Sequence, residues 1–341
     1  MAESTNPGAT PDVTPRAAWS RRRWLATAAA APWLALGRAR ADEAAWPSRP
    51  LRIIVPNAVG GTSDLLARLV GRRLSDELGV PVAVENRPGA AGRIALEFVA
   101  RAAADGHTLL LGNNGTNAVA GGAAADDVDV TALTPIIRLT SVAIVVAAIP
   151  PFGVDSLPAL IARAREAPGR LAYASGGIGS TSHLAALMLS RRAGIEMVQI
   201  PYAGTASAIK DVLAGLVPVV FTQFATIAPH LKGGQLVALA VTSARRVAAF
   251  PDVPTIAEKS FPGFDVTTWH GLLAPPATPA DLVTRLNRVL ARIVGAPSVQ
   301  DQLAALGMEP AATTPAQFAA EIRTDRERWN LVSREPVTKT R

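Results

Sequence analysis

The sequence predicts an α/β fold of two lobes, each built on a mostly parallel β-sheet. Short runs rich in Leu, Ile and Val alternate with segments whose apolar residues recur about every 3.6 residues, which is the βα order of parallel sheets. A long apolar stretch at residues 136–149 separates two such series. With 341 residues, of which 49% are hydrophobic, the chain is large and apolar enough to build a core in each lobe.

The first series opens with a strand at Leu51–Val55. Apolar residues then recur at four-residue spacing from Leu66 to Leu78, which places them on one face of a helix, and Gly79 ends that helix as its C-terminal cap. The further elements are strands at 81–85 and 108–111 around a helix near 94–101. Alternation of this kind indicates parallel strands covered by helices.

The second series follows the stretch 136–149, which we interpret as the crossing into lobe II. Its elements are a helix at 156–166 and strands at 171–174, Met197–Pro201, 217–221 and Val237–Val241. A strand at Thr267–Ala274 then crosses back, and helices at 279–294, 299–306 and 315–332 complete the first lobe. We therefore divide the chain into lobe I at 42–145, lobe II at 146–266 and a return segment of lobe I at 267–341.

The N-terminus has the pattern of an export signal. Residues 20–25, Ser-Arg-Arg-Arg-Trp-Leu, lead into an apolar run at 26–36 that ends at Ala39-Arg40-Ala41. The run is too short for the roughly 20 residues that span a bilayer. The arginine pair before an aromatic residue and Leu favours the twin-arginine route over the general secretory route. We expect residues 1–41 to be a signal peptide cleaved near Ala41, and the mature chain to be periplasmic without a transmembrane span.

Composition excludes several classes of protein. The net charge of +7 falls to +3 once residues 1–41 are removed, because 28 basic and 25 acidic residues remain, and no basic cluster is left to bind nucleic acid. No cysteine is present, which removes disulfides, thiolate nucleophiles and cysteine-bound metals. The four histidines stand singly in the sequence. We therefore expect no metal site, no cofactor and no nucleic acid partner.

Glycine-rich loops with hydroxyl or amide residues follow three predicted strands, at 60–64, 112–116 and 176–183. Glycine lets the backbone approach a ligand, and the N–H groups at the helix start that follows attract an anion. Helix capping alone would also explain each loop. Because the carboxyl ends of strands in both lobes carry such loops, they predict a ligand cleft. The candidate ligand-binding residues are Gly60, Gly61, Thr62, Ser63, Asp64, Asn114, Thr116, Gly179, Ser180, His183, Tyr202, Gly204 and Thr205.

An enzyme is the alternative interpretation of the same loops. Ser180 or Ser182 with His183 would supply a nucleophile and a base in an exported hydrolase or transferase, but no acidic residue nearby would orient the histidine. The motifs of phosphate-binding loops, zinc proteases and nucleophile elbows are absent from the sequence. We therefore assign no catalytic residue.

Short segments along nearly the whole mature chain carry a family resemblance. They lie at 46–50, 55–64, 84–90, 104–110, 179–184, 201–204 and 251–258, and include Gly-Gly-Thr-Ser-Asp and Asn-Arg-Pro-Gly-Ala. In this order the chain resembles the solute-binding proteins of tripartite tricarboxylate transporters, the Bug or TctC-like family. The resemblance implies a periplasmic-binding-protein fold of the Venus-flytrap, type II-like kind, in which loops 60–64 and 179–180 hold a carboxylate through main-chain amides and hydroxyls.

The resemblance also implies partners and leaves alternatives open. The expected partners are a small carboxylate ligand and a separate membrane permease that accepts it, and we expect the receptor to be a monomer. A ligand-sensing adaptor for a membrane sensor would use the same cleft. The chain departs from the family pattern at residues 57–59, at Ala203 and at Thr222-Gln223. These departures leave the identity of the carboxylate open.

Overall fold

The computed structural model describes residues 46–119, 132–202 and 204–333. The predicted signal peptide lies outside these residues. Residues Arg49–Arg341 form one compact unit, to which the following description applies. The strands are β1 Leu51–Val55, β2 Val82–Asn86, β3 Thr108–Asn113, β4 Thr134–Ala148, β5 Leu171–Ser175, β6 Met197–Pro201, β7 Val219–Gln223, β8 Val237–Val241, β9 Thr267–Ala274 and β10 Met308–Pro310.

The helices cover the strands in βα order. They are α1 Thr62–Leu78, α2 Arg93–Ala100, α3 Asn114–Val119, α4 Leu157–Glu166, α5 Thr181–Ala193, α6 Thr205–Leu213, α7 Phe224–Lys232, α8 Ile256–Lys259, α9 Ala280–Gly295, α10 Pro297–Ala305 and α11 Pro315–Ser333. Helix α1 buries Leu66, Val70 and Leu74 on one face. It ends at Gly79, whose φ of 69° is left-handed and whose N–H bonds Ser75 O. The prediction for this helix is confirmed.

The sheet is mixed, with the strand order β2-β1-β3-β9-β4-β7-β5-β6, while β8 and β10 both pair with β4. Parallel pairs join β1 to β2 and β3, and β5 to β6 and β7. Every antiparallel pair between the described strands involves β4 or β9. The two-lobed α/β fold is confirmed, but its sheets are less parallel than the βα alternation suggested, because the two crossing strands run against their neighbours.

Strand β4 is the crossing that the apolar stretch predicted. It pairs with β9 from Thr134 to Ala143 and with β7 and β8 from Ile144 onward. We call the part built on β1–β3, β9 and β10 lobe I and the part built on β5–β8 lobe II. Thr242 ties the crossing together, because its hydroxyl accepts from Ile144 N–H and donates to Val266 O. The numerical lobe boundaries at 145/146 and 266/267 stay predictions.

Lobe II buries apolar residues on both faces of its sheet. One cluster contains Tyr173 and Phe221, whose rings meet edge to face at 5.3 Å. The other contains Phe224 with the α6 residues Ile209 and Val212. Lobe I packs Trp269 against Phe318 of α11 at 4.9 Å. Burial on both faces explains why these strands read as continuous apolar runs.

Several strands extend further than their apolar runs. Strand β3 continues through Gly112 to Asn113, and β7 begins and ends two residues later than predicted because Pro218 has no N–H for the ladder. Strand β10 was not predicted, since three residues are too few to show an alternation. The last residue of each of these two strands is polar, and both, Asn113 and Gln223, line the cavity described below.

His270 makes lobe I sensitive to acid. Its side chain is fully buried in β9, neither ring nitrogen bonds a described residue, and burial lowers its pKa to about 4. In the unfolded chain the His270 ring takes up a proton near pH 6.5, whereas in the folded chain it stays neutral until about pH 4. The contribution of His270 to the free energy of unfolding is therefore full above pH 6.5 and is lost as the pH falls toward 4.

The loss attributable to His270 is about 3 kcal/mol over that interval, at about 1.36 kcal/mol for each pH unit. Urea unfolding gives the free energy of unfolding at pH 7 and at pH 4. Between these two pH values it should fall by about 3 kcal/mol more in wild type than in His270→Leu, which keeps every other titrating group. Equal losses in the two proteins would contradict the prediction.

Candidate ligand-binding site

A cavity of about 930 Å³ lies between the lobes, at the carboxyl ends of β1 and β3 on one side and of β5, β6 and β7 on the other. Its volume falls in the range typical of small-molecule sites. Most of the candidate ligand-binding residues line it. These are Gly61, Thr62, Ser63, Thr116, Gly179, Ser180, Tyr202, Gly204 and Thr205.

The start of α1 offers hydrogen-bond donors to this cavity. The N–H groups of Thr62 and Ser63 bond no described residue, because the first residues of a helix have no intrahelical acceptor. The Thr62 hydroxyl is also buried without a hydrogen-bond partner among the described residues, although the residue is only 2% exposed. A buried hydroxyl left without a partner is costly, so its presence in a cavity wall indicates a polar ligand.

Gly60 and Asp64 lie behind this helix start and do not line the cavity. The Asp64 carboxylate accepts from Gly60 N–H at 3.0 Å and pairs with Arg68 at 2.9 Å. Burial raises the pKa of Asp64, but hydrogen bonds from Arg68, Gly60 and Asn86 outweigh it and lower the pKa overall. Asp64 therefore fixes the turn that presents Thr62 and Ser63, and its negative charge is already paired.

The start of α5 presents the second set of donors. Ser180 caps the helix by accepting from His183 N–H, and the N–H groups of Thr181 and Ser182 bond no described residue. Helices α6 and α7 also begin at the cavity, where Gly204, Thr205 and Gln223 line its wall. Helix N-termini from both lobes thus point their partial positive charges toward one space.

His183 stands outside the cavity wall, in contrast to its predicted role as an anion donor. Its Nδ1 accepts from Gly179 N–H at 3.2 Å, so both groups are used in holding the loop. Burial lowers the pKa of His183, which keeps the ring neutral and Nδ1 available as an acceptor at neutral pH. In this conformation the Gly179 N–H also points to His183.

The lobes touch at the rim of the cavity. Thr181 Oγ1 of lobe II donates to Asn114 Oδ1 of lobe I at 2.8 Å, and Asn114 Nδ2 donates to Thr267 O. Asn114 therefore joins the lobes and does not line the cavity. Beside it, a Cβ at Gly115 would lie 3.5 Å from both Gly179 O and Ser180 Cα. This close approach indicates a closed arrangement of the two lobes.

No Arg, Lys, His, Asp or Glu lines the described wall of the cavity. Tyr202 contributes its ring, while its hydroxyl donates to Asp211 at 2.9 Å. Burial, followed by that hydrogen bond, raises the pKa of Tyr202. An anion in the cavity is therefore stabilised by N–H groups, hydroxyls and helix dipoles and not by an opposite full charge.

Asn57, Asn113, Ile144 and Gln223 line the cavity but were not among the candidate residues, although Asn113 lies in the predicted loop 112–116 and Asn57 and Gln223 lie in the departures from the family pattern. Asn113 and Gln223 each end a strand whose apolar run stops earlier. A rule that counts the first polar residues after every strand would have found them. Of the departures from the family pattern, Asn57 and its two successors line the wall, Thr222 is buried outside it, and Ala203 lies outside the described residues.

The arrangement of serines and histidine does not resemble a nucleophile with its base. Ser180 Oγ donates to Gly177 O at 2.7 Å and lies 2.9 Å from Ser182 Oγ. No hydrogen bond between described atoms joins either hydroxyl to the His183 ring, whose Nδ1 is used by Gly179.

No three His, Asp or Glu side chains in residues 46–119, 132–202 and 204–333 are grouped to hold a metal. Within those residues no helix is long and apolar enough to cross a membrane.

Known proteins of similar sequence and structure cover almost the whole chain. Protein BugT of Bordetella pertussis is 35% identical over 297 residues, which is 86% of this chain and 91% of that protein. The structure of Rpa4515 from R. palustris with adipate has a TM-score of 0.79 at 33% identity, covering 84% of this chain and 97% of the other.

MatC from Rhodopseudomonas palustris with bound malate has a TM-score of 0.77 at 31% identity, covering 84% and 99% of the two chains. The model of the tripartite tricarboxylate transporter family receptor matches residues 66–335. This match covers most of the chain, including the α5 donors of lobe II, and begins just after the α1 donors of lobe I. The chain therefore belongs to the tripartite tricarboxylate transporter family of receptors.

Proposed function

We propose that the protein captures a small carboxylate between its lobes and delivers it unchanged to a membrane permease. The observation that carries the proposal is the start of α1, where Thr62 and Ser63 line a cavity with no charged residue in its described wall. The buried Thr62 hydroxyl and the N–H groups of both residues have no described partner. A carboxylate accepts several such bonds at once, and hydrogen bonds to charged groups contribute about 1.5–3 kcal/mol each.

The ligand class is supported by the related structures that contain adipate and malate. Both molecules carry carboxylates at two ends. Helix N-termini in this chain approach the cavity from both lobes, so each end of such a ligand would meet N–H donors. Contacts from both lobes are also what a ligand needs to favour the closed state, because it shifts that equilibrium only by its differential affinity.

The hydrogen bonds of Ser180 and His183 support a protein that binds its ligand without converting it. The Ser180 hydroxyl and the His183 ring each hold the loop that they belong to. A general base must lie within hydrogen-bond reach of the proton that it removes. The pairing of these two groups therefore favours a receptor over a hydrolase or transferase that uses Ser180 and His183.

A panel of small acids tests the proposal by thermal shift and calorimetry. An acid that binds, at about 100 times its dissociation constant, should stabilise the mature protein by about 2.7 kcal/mol. The ligand should be recovered unchanged at a stoichiometry of one per chain. Stabilisation by sugars, lactams or polyamines and by no acid would overturn the carboxylate assignment, and turnover of the acid would overturn the receptor.

Delivery to a permease places the mature receptor in the periplasm, where we propose that it acts as a monomer. The periplasmic location is supported by the family and by the signal predicted at residues 1–41. Changing Arg21→Lys together with Arg22→Lys should abolish export if the route is twin-arginine. Mass spectrometry of periplasmic material should find wild type beginning after Ala41. Unchanged export of the double variant would contradict that route.

A further inference from the structure

A second cavity, of about 510 Å³, opens on lobe I outside the ligand site. The start of β1, the start of β3 and one face of α2 form its walls. We call it the arginine pocket, and define it by Arg49, Arg52, Arg87 and Arg101 around Phe98 and Ile94. The proposed function uses none of these side chains.

The Phe98 ring holds two of the guanidinium groups in place. Arg87 Cζ lies 3.6 Å from the ring centroid and Arg52 Cζ lies 5.6 Å from it. Stacking on an aromatic face restrains a guanidinium while its N–H edge stays able to bind a carboxylate in a two-pronged manner. The side chain of Arg87 is in addition paired with Glu85 at 2.6 Å.

The arginine pocket carries positive charge that the described residues do not neutralise. Arg49 pairs with Asp105 and Arg87 with Glu85, whereas Arg52 and Arg101 form no ion pair with any described residue. Both of these arginines are exposed. The acidic residue in the wall, Glu97, pairs with Arg93. Two guanidinium groups therefore remain for an outside partner.

The surroundings favour a peptide segment over a small inorganic anion. Ile94 is 50% exposed at the rim and Phe98 forms part of the wall, so apolar surface lies between the available cations. A segment with carboxylates on either side of an apolar side chain would match both features. Phosphate would match the charge alone, since guanidinium groups already paired with Glu85 and Asp105 cannot converge on it without losing those partners.

The arginine pocket is joined to the ligand cavity by one short loop. Pro88, Gly89 and Gly92 line the ligand cavity, whereas Arg87 and Ile94 line the arginine pocket. The loop is anchored because Arg87 N–H donates to Val55 O at 2.8 Å. A partner in the arginine pocket would therefore contact the segment of chain that continues into the wall of the ligand cavity.

We propose that the arginine pocket docks an acidic segment of the membrane component of the transporter, with Arg52 and Arg101 binding its carboxylates and Ile94 and Phe98 its apolar side chain. The inference rests on the proposed function, since docking serves ligand delivery. Contacts between exposed charges of this kind govern the association rate and its dependence on salt.

The test measures docking of the full mature receptor to nanodiscs that hold its membrane component, at 50 and 300 mM NaCl. Arg52→Glu with Arg101→Glu should weaken docking at least tenfold at the lower salt and flatten the salt dependence. The matched control is Arg72→Glu with Arg192→Glu, which makes the same charge change at other exposed arginines and should dock as wild type. If the first double variant is unstable, Arg101→Glu alone replaces it, because no described contact uses its side chain.

Ligand binding in the same variants separates this inference from the proposed function. Unchanged affinity for the stabilising acid with lost docking supports the arginine pocket as the docking surface. Docking that is equal in wild type and in Arg52→Glu with Arg101→Glu overturns it, as does undetectable docking of wild type. Titration with inorganic phosphate is the remaining experiment. If phosphate binds tightly, and Arg52→Glu with Arg101→Glu abolishes that binding but leaves docking unchanged, the arginine pocket is a small-anion site and the inference is overturned.

Discussion

Replacing Gly115 with Val is expected to weaken ligand binding about 5- to 140-fold, because the side chain would hold the lobes apart. A Cβ at this position already lies 3.5 Å from Gly179 O and from Ser180 Cα, and the two methyl groups of Val extend beyond it into lobe II. Overpacking of this kind costs about 1–3 kcal/mol, and about 1.4 kcal/mol corresponds to a factor of ten in affinity. The contacts with lobe II arise in the closed state, whereas the 3.2 Å approach to Asn113 Oδ1 lies within lobe I and does not depend on closure.

Calorimetry and small-angle scattering check this expectation. Gly115→Ala is the graded control, since its Cβ requires only a shift of a few tenths of an ångström in the Asn113 side chain, and it should bind within a fewfold of wild type. The unliganded Val variant should keep the melting temperature of Gly115→Ala, because both carry the same Cβ beside Asn113. With saturating ligand its radius of gyration should stay larger than that of the wild-type complex. Full affinity in the Val variant would mean that closure at Gly115 is not part of binding.

Changing Thr62→Val should lower ligand affinity about 12- to 140-fold without lowering stability. The substitution removes one hydroxyl and keeps the shape of the side chain. A hydrogen bond from that hydroxyl to a carboxylate contributes about 1.5–3 kcal/mol. In the unliganded protein the same hydroxyl is buried with no described partner, so the variant should be as stable as wild type or more so.

The matched control is Thr222→Val, another buried threonine. Its hydroxyl lies 3.3 Å from Thr226 Oγ1 and outside the cavity. That variant should lose stability and keep its affinity, which is the opposite pattern. Urea unfolding and calorimetry on both variants decide the matter. If Thr62→Val binds as tightly as wild type, the α1 start does not hold the ligand.

Both lobes were predictable because the signals that specify them are local. The helix from Thr62 to Leu78 shows its apolar face at four-residue spacing, and Gly79 marks its end. The long strand β4 appeared as a long, mostly apolar stretch, since it is buried along most of its length. Glycine and hydroxyl residues after the strands gave the loops of the site, because a helix start near a ligand requires those residue types.

These patterns did not predict which groups in the site form hydrogen bonds with each other. His183 and Gly179 both looked like ligand donors in sequence, yet they bond each other. Asn113 and Gln223 were not listed as candidate ligand-binding residues because polar residues at the end of a strand do not continue its apolar run. In each case the hydrogen-bond partner, or the face that a residue presents, depends on neighbours that periodicity does not register.

The sequence by itself determined the βα order, the buried faces of the helices and the three glycine loops, because each depends on residues within one or two turns of chain. Only the tertiary structure decided that Asn114 bonds Thr181, 67 residues away, and that the Thr62 hydroxyl is buried without a described partner. A hydrogen bond forms wherever the packed chain brings a donor and an acceptor within about 3 Å. That distance is set by the packing of the two lobes, which no local pattern contains.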